Sequence, residues 1–140
     1  EPREDGEGVS LCLNRAFADA GIQAEDIDYI NAHATSTSVG DLAEVRALLK
    51  VFKNPERISM NATKSMTGHS CGASGGIEAV ATLKAIQTKM IHPTINLVDP
   101  EDVPFNLPTT RQSKDIRYGI SNSFGFGGHN ASVVFGAYQE

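Results

Sequence analysis

Two histidines lie in short polar loops whose small neighbours leave an imidazole ring accessible. His33 has an alanine on either side and follows directly on an apolar strand pattern at residues 27–30. His69 follows a glycine and precedes a predicted helix that begins at Gly72. The positive end of a helix disfavours a protonated imidazole, so this position favours the neutral ring. Two neutral rings that each donate an N–H to one carbonyl oxygen would stabilise an enolate.

Each histidine also has an ordinary structural explanation. A single histidine is more often a buried, hydrogen-bonded side chain than a catalytic one. That explanation weakens when both histidines follow strands in loops rich in glycine, serine and threonine. The hydroxyls of Thr35 and Thr37, which alternate behind His33, offer hydrogen bonds to a polar, elongated ligand.

Lys64 lies among small polar residues rather than on a charged surface. A lysine in such surroundings usually needs a carboxylate partner, and Glu44 is one candidate. Glu44 also follows Asp41 at the spacing of a helix capping box, where both acids favour the first turn. The spacing alone leaves both roles open for Glu44.

A glycine-rich loop comprises Gly125, Phe126, Gly127 and Gly128. Such a loop can present backbone N–H groups to an anion. It does not match the dinucleotide-binding pattern, because the third glycine of that pattern would fall at Asn130, and it lacks the P-loop lysine. A tight connection between two strands explains the glycines equally well.

The cysteines and histidines show no spacing typical of a zinc site. Cys71 lies two residues after His69 and could be a nucleophile paired with it. A small buried thiol at the entrance of a packed helix is the simpler interpretation of Cys71, and also of Cys12.

These loops need elements that position them, and the periodicity supplies an order of helices and strands. The order predicts an α/β fold in which helices cover a mixed sheet. Ligands in layered α/β proteins gather where strand ends release such loops. The predicted elements are a helix over 9–20, a strand over 27–30, a helix from 41 to 52, a strand over 58–62, a helix over 72–89, an irregular connection over 91–114, and strands over 116–121 and 131–137.

Two of these helices carry further signals. The first turns of the 72–89 helix are rich in glycine and alanine, which indicates that its backbone packs very close to another element. Arg46, Lys50 and Lys53 lie on one face of the 41–52 pattern and its end. This basic face is either solvated or a docking surface for an acidic protein.

Composition limits the classes of function. The chain has 140 residues, a formal net charge of −5, 40% apolar and 21% charged residues. This is ordinary globular composition, without a run of apolar residues that predicts a membrane span and without a basic block that predicts a nucleic-acid partner.

Residues 1–7 are interpreted as a flexible lead-in to a domain over 8–140. The chain does not begin with Met, so we expect it to be a piece of a larger protein.

Several short motifs together resemble the β-ketoacyl-acyl-carrier-protein synthases of the thiolase-like superfamily. Each motif is weak alone, whereas all of them in one order are highly specific. They cover nearly the whole chain, residues 8–138. The matching stretches are 31–37 (NAHATST), 40–41 (GD), 63–69 (TKSMTGH), 72–76 (GASGG), 93–96 (PTIN) and 122–128 (NSFGFGG).

The resemblance implies the C-terminal half of a layered αβαβα fold and a decarboxylative Claisen condensation in fatty acid elongation. Residues matching His33 and His69 donate hydrogen bonds to the malonyl thioester carbonyl in that family. By the same resemblance, Lys64 pairs with Glu44 and maintains the electrostatics of the site. Residues matching Thr35 and Thr37 contact the phosphopantetheine arm.

The glycine-rich loop and a set of buried polar residues receive roles from the same family. The residue matching Phe126 gates the acyl pocket, and its backbone N–H contributes to an oxyanion hole. Some members hold a monovalent cation near residues that match four positions here: Asn31, Glu78, Ser121 and Asn122.

The resemblance also implies partners and a missing nucleophile. The family's catalytic cysteine lies in the N-terminal half, and no such motif occurs here. The expected partners are that N-terminal half, a second subunit of a homodimer and an acyl carrier protein, which brings phosphopantetheine so that no separate cofactor is required.

A polyketide ketosynthase domain and a non-catalytic homologue of the chain-length-factor type remain the alternatives. Ala34 and His129 are similar to plastid-type members, which leaves plastid stroma, bacterial cytoplasm and mitochondrion as possible locations.

Overall fold

The computed structural model describes residues 5–100 and 102–139. Its elements confirm an α/β fold with a mixed sheet covered by helices. The helices are α1 Glu7–Ala20, α2 Ser38–Val51, α3 Lys64–Thr67 and α4 Ser74–Thr88. The strands are β1 Tyr29–Asn31, β2 Ser59–Asn61, β3 Met90–Ile91, β4 Gln112–Ser113, β5 Tyr118–Phe124 and β6 Asn130–Gly136.

A four-stranded sheet in the order β2-β1-β5-β6 forms the centre of the fold. Strand β1 pairs in parallel with β2 and with β5, while β6 runs antiparallel to β5. The register pairs Asn31 with Asn61 on one side and with Ser121 on the other. The carboxyl ends of three parallel strands therefore meet at one edge, where loops can form a site.

Alternation along β1 assigns side chains to the two faces of the sheet. Ile30 joins the larger core, which α1 and α2 cover, whereas Tyr29 joins a smaller core beneath α4. The larger core also includes Leu13 of α1 and Leu48 of α2, both fully buried. Helices thus cover both faces of the sheet, and a buried polar row that includes Asn31 faces α4.

Helix α1 ends where the sequence predicts. Gly21 adopts a left-handed conformation with φ of 67° and donates its N–H to the carbonyls of the last turn. A side chain there would be strained, which explains the glycine. Helix α1 begins at Glu7, within the segment interpreted as a lead-in, of which residues 1–4 lie outside the described residues.

The proline-rich connection is more ordered than the sequence indicates. Strands β3 and β4 pair at its two ends, and Asn106 forms a bridge with Ser59 of β2. Phe105 is buried, and its ring contacts that of Phe52 edge-to-face at 6.3 Å. The prediction of an irregular surface connection over 91–114 is wrong at these points. The segment lacks a periodic pattern, but a buried aromatic side chain anchors it to the core.

Two predicted loops are also partly regular. Residues 64–67 form the short helix α3, and β5 extends to Phe124 and so includes Asn122. Helix α4 starts at Ser74 after a 3-10 turn over Cys71–Ala73. No helix among residues 5–100 and 102–139 combines the length and apolar character that crossing a membrane requires.

Candidate active site

The structure brings His33 and His69 together at the carboxyl edge of the sheet. His33 follows β1, and His69 follows β2 by way of α3. Their ring centroids are 5.6 Å apart with an interplanar angle of 89°. Phe124 at the end of β5 packs against His33 with its ring centroid 5.5 Å away. All three parallel strands therefore contribute one side chain to a single site.

The environment of His33 favours a neutral ring with a defined tautomer. The Lys64 ammonium group lies 3.3 Å from Nδ1 of His33, so Nδ1 accepts and the ring proton resides on Nε2. Burial lowers the pKa of His33 from 6.5 to about 4, and the charges of Lys64 and His69 act in the same direction. His33 is therefore neutral at physiological pH and presents an Nε2–H donor.

His69 reaches the same tautomer through different contacts. The backbone N–H of Cys71 donates to Nδ1 of His69 at 3.2 Å. The Ser74 hydroxyl lies 3.0 Å from the same nitrogen and accepts the backbone N–H of Ser70. Since Nδ1 accepts in the neutral ring, Nε2 carries the proton. Both histidines thus present an N–H donor on Nε2.

Lys64 pairs with Glu78 of α4, which corrects the expected pairing with Glu44. The Lys64 ammonium and a Glu78 carboxylate oxygen form a short ion pair, and both side chains are almost fully buried. Burial raises the pKa of Glu78, whereas its bond to Lys64 lowers it. A buried pair of this kind is strongly destabilised when one partner is removed.

Glu44 instead holds the backbone of the His33 loop. Its two carboxylate oxygens accept the N–H groups of His33 at 3.0 Å and Ala34 at 2.9 Å. The Asn122 amide lies 3.5 Å from Glu44 Oε1. Burial raises the pKa of Glu44, and these donors lower it. Glu44 thus contacts the backbone of the His33 loop and Asn122 rather than Lys64, so its role is to position His33.

Thr35 and Thr37 lie at the entrance of the loop with their hydroxyl oxygens 3.4 Å apart. Gly40 leaves the space that this arrangement requires, because a Cβ at this position would lie 2.5 Å from the Thr37 hydroxyl. Thr35 lines a cavity of about 490 Å³ that also reaches Lys64 and His69. The apolar side of this cavity is formed by α2 and the 94–107 connection.

The glycine-rich loop is a tight connection between β5 and β6. The N–H of Gly125 donates to the carbonyl of His129 at 2.7 Å. Gly127 and Gly128 have φ of 79° and 80°, a left-handed conformation that favours glycine. Phe126 at the tip is 99% exposed. The connection explains the glycines, and the exposed ring lies at the end of the strand that supplies Phe124.

Two of the four residues expected near a cation fit that role by an observation in this structure. Asn31 Oδ1 and Glu78 Oε2 are buried and have no hydrogen-bond partner among the described residues. Oxygen acceptors of this kind suit a hard cation. Ser121 pairs with Asn31 in the sheet register.

The side chain of Asn122 is engaged on the other face of the sheet. Its amide accepts a bond from Ser132 at 2.9 Å and approaches Glu44, on the opposite face from Glu78. The alternation of β5 separates it from its neighbour Ser121. No group of three or more histidine, cysteine, aspartate or glutamate side chains within 5–100 and 102–139 could hold a metal ion.

Neither cysteine contributes its thiol to the contact between the His33 and His69 rings. Cys12 on α1 is half-buried, with its sulfur 3.6 Å from the Ser132 hydroxyl. Cys71 is exposed and contacts His69 through its backbone N–H rather than its thiol. Neither arrangement is that of a thiol activated by a histidine.

Sequence reasoning missed two features of the site. Glu78 is the ion-pair partner of Lys64. The sequence feature that could have indicated this role is that Glu78 is the single acidic residue of an apolar, glycine-rich helix. His92 bonds to Thr63, the residue before Lys64. Its signal was a polar side chain directly before a family motif, at Pro93.

Known proteins with this fold and these loops define the class. Residues 1–98 match the family described as beta-ketoacyl synthase, C-terminal domain. The ketosynthase structure titled "AntDE:AntF (apo): type II PKS acyl-carrier protein in complex with its ketosynthase bound to the hexaketide" superimposes with a TM-score of 0.93 at 33% identity, covering 99% of this chain and 35% of that one. "The ishigamide ketosynthase/chain length factor" gives 0.91 at 34% identity, covering 96% and 34%. The chain therefore belongs to the β-ketoacyl synthase C-terminal domain family.

Curated relatives narrow the resemblance to particular synthases. The chain is 55% identical to the chloroplastic 3-oxoacyl-[acyl-carrier-protein] synthase I of Hordeum vulgare, over 99% of its own length and 30% of that protein. It is 46% identical to 3-oxoacyl-[acyl-carrier-protein] synthase 2 of Staphylococcus aureus (strain COL), over 99% and 34%. The chain thus spans about a third of the relatives it matches, which include chloroplastic and bacterial enzymes.

Proposed function

We propose that this chain is the C-terminal part of a 3-oxoacyl-[acyl-carrier-protein] synthase that elongates fatty acids. The observation that carries the proposal is the pair of imidazoles His33 and His69. Their ring centroids are 5.6 Å apart, and Nδ1 accepts in both, which leaves the proton of each neutral ring on Nε2. Two such donors can converge on one oxygen. The high identity to named synthases supports the same reaction class.

The chemistry follows from the position of the two donors. The oxygen of a malonyl thioester carbonyl accepts the Nε2–H groups of His33 and His69. When CO2 leaves, the bond between the carboxyl carbon and the α carbon breaks and its electron pair forms the enolate. Donors held in a preorganised, partly buried site stabilise that oxyanion without reorganisation. The enolate carbon then attacks the acyl thioester carbon on the enzyme's cysteine, and the cysteine thiolate leaves.

Other residues of the chain bind and orient the substrate in this proposal. Thr35 and Thr37 contact the phosphopantetheine arm, which the carrier protein brings and which is the only prosthetic group required. The backbone N–H of Phe126 contributes to the oxyanion hole of the acyl thioester. The exposed ring of Phe126 gates the acyl pocket, and the flanking glycines give its loop the freedom to move.

Asn31 and Glu78 would hold a monovalent cation through their buried oxygens, which have no hydrogen-bond partner in the part of the chain that the structure describes. It would supply a fixed positive charge that compensates the buried carboxylate of Glu78. Glu78 itself continues to pair with Lys64, which keeps Nδ1 of His33 an acceptor.

The complete enzyme needs surfaces that this chain leaves exposed. Ile77, Val80 and Leu83 of α4 are 37%, 60% and 47% exposed on the face away from the sheet. We propose that the N-terminal half, which carries the cysteine, packs there and that the whole enzyme is a homodimer. The basic residues Arg46 and Lys53 on or next to α2 are exposed and suit an acidic carrier protein.

A polyketide ketosynthase is the second candidate. The fold similarity to the ketosynthase of a type II PKS at 33% identity favours it, whereas the 55% identity to a 3-oxoacyl-[acyl-carrier-protein] synthase favours the fatty acid enzyme. A chain-length-factor homologue would not need the two donors or Lys64. The plant relatives favour the plastid stroma, with bacterial cytoplasm as the alternative and the mitochondrion left open.

The test is decarboxylation of malonyl-acyl carrier protein by the complete protein. We expect CO2 release and, with an acylated enzyme, a 3-oxoacyl product two carbons longer than the acyl primer. A complete protein that binds carrier protein but releases no CO2 contradicts the synthase proposal and supports the chain-length-factor alternative. Acceptance of a polyketide intermediate in preference to a saturated acyl chain supports the polyketide alternative.

A further inference from the structure

A short segment after β3 is bonded to the residues that lead into Lys64. Four hydrogen bonds connect residues 92–95 with residues 61–65. The bonds run from the Asn61 amide to the His92 carbonyl (2.8 Å), from the Ala62 N–H to the Thr94 hydroxyl (3.0 Å), between the Thr63 hydroxyl and His92 Nε2 (3.0 Å), and from the Ile95 N–H to the Ser65 hydroxyl (3.1 Å).

The bond to His92 has a fixed direction. Nδ1 of His92 lies 2.9 Å from the carbonyl oxygen of Pro93, which can only accept, so Nδ1 carries the proton. When the ring is neutral, Nε2 therefore accepts from the Thr63 hydroxyl. With its hydrogen directed to His92, the Thr63 oxygen accepts the Asn31 amide at 2.8 Å. His92 thus has the opposite tautomer to His33.

This chain of bonds ends at two residues that adjoin the active site. Thr63 is 4% exposed and directly precedes Lys64, while Asn31 is fully buried two residues before His33. The Asn61 amide is also fixed, because its oxygen accepts the Tyr29 hydroxyl at 2.7 Å. Because Thr63 is buried, loss of the acceptor on His92 leaves its hydroxyl without that hydrogen-bond partner.

We propose that His92 is a positioning residue: through Thr63 it fixes the start of α3, so that Lys64 reaches both Glu78 and Nδ1 of His33. Only the catalytic consequence of this inference rests on the proposed function. His92 does not touch substrate. Its effect is to keep the proton of His33 on Nε2, where a donor is required.

The kinetic test uses the complete synthase with His92→Leu, which removes the acceptor, and His92→Gln, whose amide oxygen can accept from Thr63. We expect His92→Leu to lower kcat for malonyl decarboxylation by about 10-fold with an unchanged KM, on the scale of other positioning contacts. Acyl transfer to the enzyme's cysteine should stay unchanged, and His92→Gln should recover most of the rate. Thr63→Val should reproduce the loss and add nothing to His92→Leu. Thr88→Val is the matched control, because Thr88 is exposed at the end of α4 and its hydroxyl bonds only within that helix.

A spectroscopic test does not depend on activity. The ¹⁵N shifts of the imidazole nitrogens should show a proton on Nδ1 of His92 and on Nε2 of His33 and His69 in the unmodified protein. In His92→Leu, the Nε2–H signal of His33 should lose intensity to the other tautomer.

The outcomes separate the two proposals. A wild-type protein that releases no CO2 contradicts the proposed function, and the tautomers still test the role of His92. An Nε2–H proton on His92, an unchanged kcat in His92→Leu, or an equal loss in acyl transfer and decarboxylation overturns the positioning role.

Discussion

The ammonium group of Lys64 contacts both the carboxylate of Glu78 and Nδ1 of His33. One buried cation therefore neutralises a carboxylate and occupies the lone pair on Nδ1 of the His33 ring. We expect Glu78→Gln to lower the free energy of unfolding by about 3 kcal/mol, because it leaves the charge of Lys64 buried without its partner. Urea unfolding monitored by circular dichroism measures this loss.

The chain offers a matched control for that variant. Lys89 and Asp115 form an ion pair at 3.1 Å, but their side chains are 65% and 83% exposed. Asp115→Asn should leave the unfolding free energy unchanged within error, because solvent screens exposed pairs. Equal effects of the two substitutions would contradict the importance assigned to the Lys64–Glu78 pair.

His69→Ala in the complete enzyme should abolish malonyl decarboxylation and leave the protein nearly as stable as before. The ring is not part of either hydrophobic core, so its loss removes a donor without leaving a large cavity. Release of ¹⁴CO2 from labelled malonyl-carrier protein gives the rate, and thermal unfolding gives the stability. A fully active His69→Ala enzyme would exclude the role assigned to this ring.

The sequence was sufficient to place the loops, and insufficient to pair their side chains. The apolar patterns before His33 and Lys64 predict two strands, and parallel strands present their ends at one edge. The family resemblance predicts Glu44 as the partner of Lys64, and spacing could not point to Glu78 instead, because both acids lie on helices that pack near the same edge. That choice depends on which face of the sheet each helix covers, which only the folded arrangement determines.

The connection over 91–114 shows a second limit of sequence reasoning. Four prolines remove the periodicity on which strand and helix prediction depends. The hydrogen bonds of His92 and Thr94 are long-range contacts that leave no local pattern. The tautomer of His33 likewise depends on Lys64, a partner distant in the chain, whereas those of His69 and His92 depend on near neighbours, Cys71 and Pro93.

His33 predicts a pH dependence of stability. Its pKa in the folded protein is about 4, below the ordinary 6.5. Between these values the unfolded chain binds a proton that the folded one does not, so stability falls as the pH decreases from 6.5 towards 4. His33→Gln should remove this part of the slope. Since buried Glu44 and Glu78 titrate in both proteins, the difference between the two unfolding curves isolates His33.

The measurement is urea unfolding at half-unit steps between pH 4 and pH 7. Identical slopes for the unmodified protein and His33→Gln would show that His33 titrates as it does in the unfolded chain. In the complete enzyme, a neutral His33 also predicts that the decarboxylation rate does not fall through a His33 protonation near pH 6.

Ala34 has a φ of 33° in the loop that carries His33. A left-handed conformation is strained for alanine and not for glycine, although glycine costs more backbone entropy on folding. We expect Ala34→Gly to raise the unfolding free energy by about 0.5 kcal/mol. Ala43→Gly, inside α2 and buried, is the control with the opposite sign, because glycine there costs up to about 1 kcal/mol. A decrease in both variants would argue against strain at Ala34.

The apolar face of α4 predicts how this chain behaves without the rest of the protein. Val80 and Leu83 are 60% and 47% exposed. The 140-residue chain should bind a hydrophobic dye and associate in sedimentation experiments, and Val80→Lys should reduce both effects. Val98→Lys is the control, because that side chain is 92% exposed in the connection rather than on α4. A monomeric chain that does not bind the dye would contradict the assigned surface.

The contacts at Nδ1 of His33 and His69 also decide what these rings cannot do. With that nitrogen occupied by Lys64 in one ring and by Cys71 in the other, the proton on Nε2 leaves no basic nitrogen facing the reactants. Neither imidazole can then deprotonate a thiol. If the complete protein has the proposed function, its attacking sulfur must already be an anion, or lose its proton to a group outside these two loops. Activation of the nucleophile and stabilisation of the enolate would then belong to different parts of the protein.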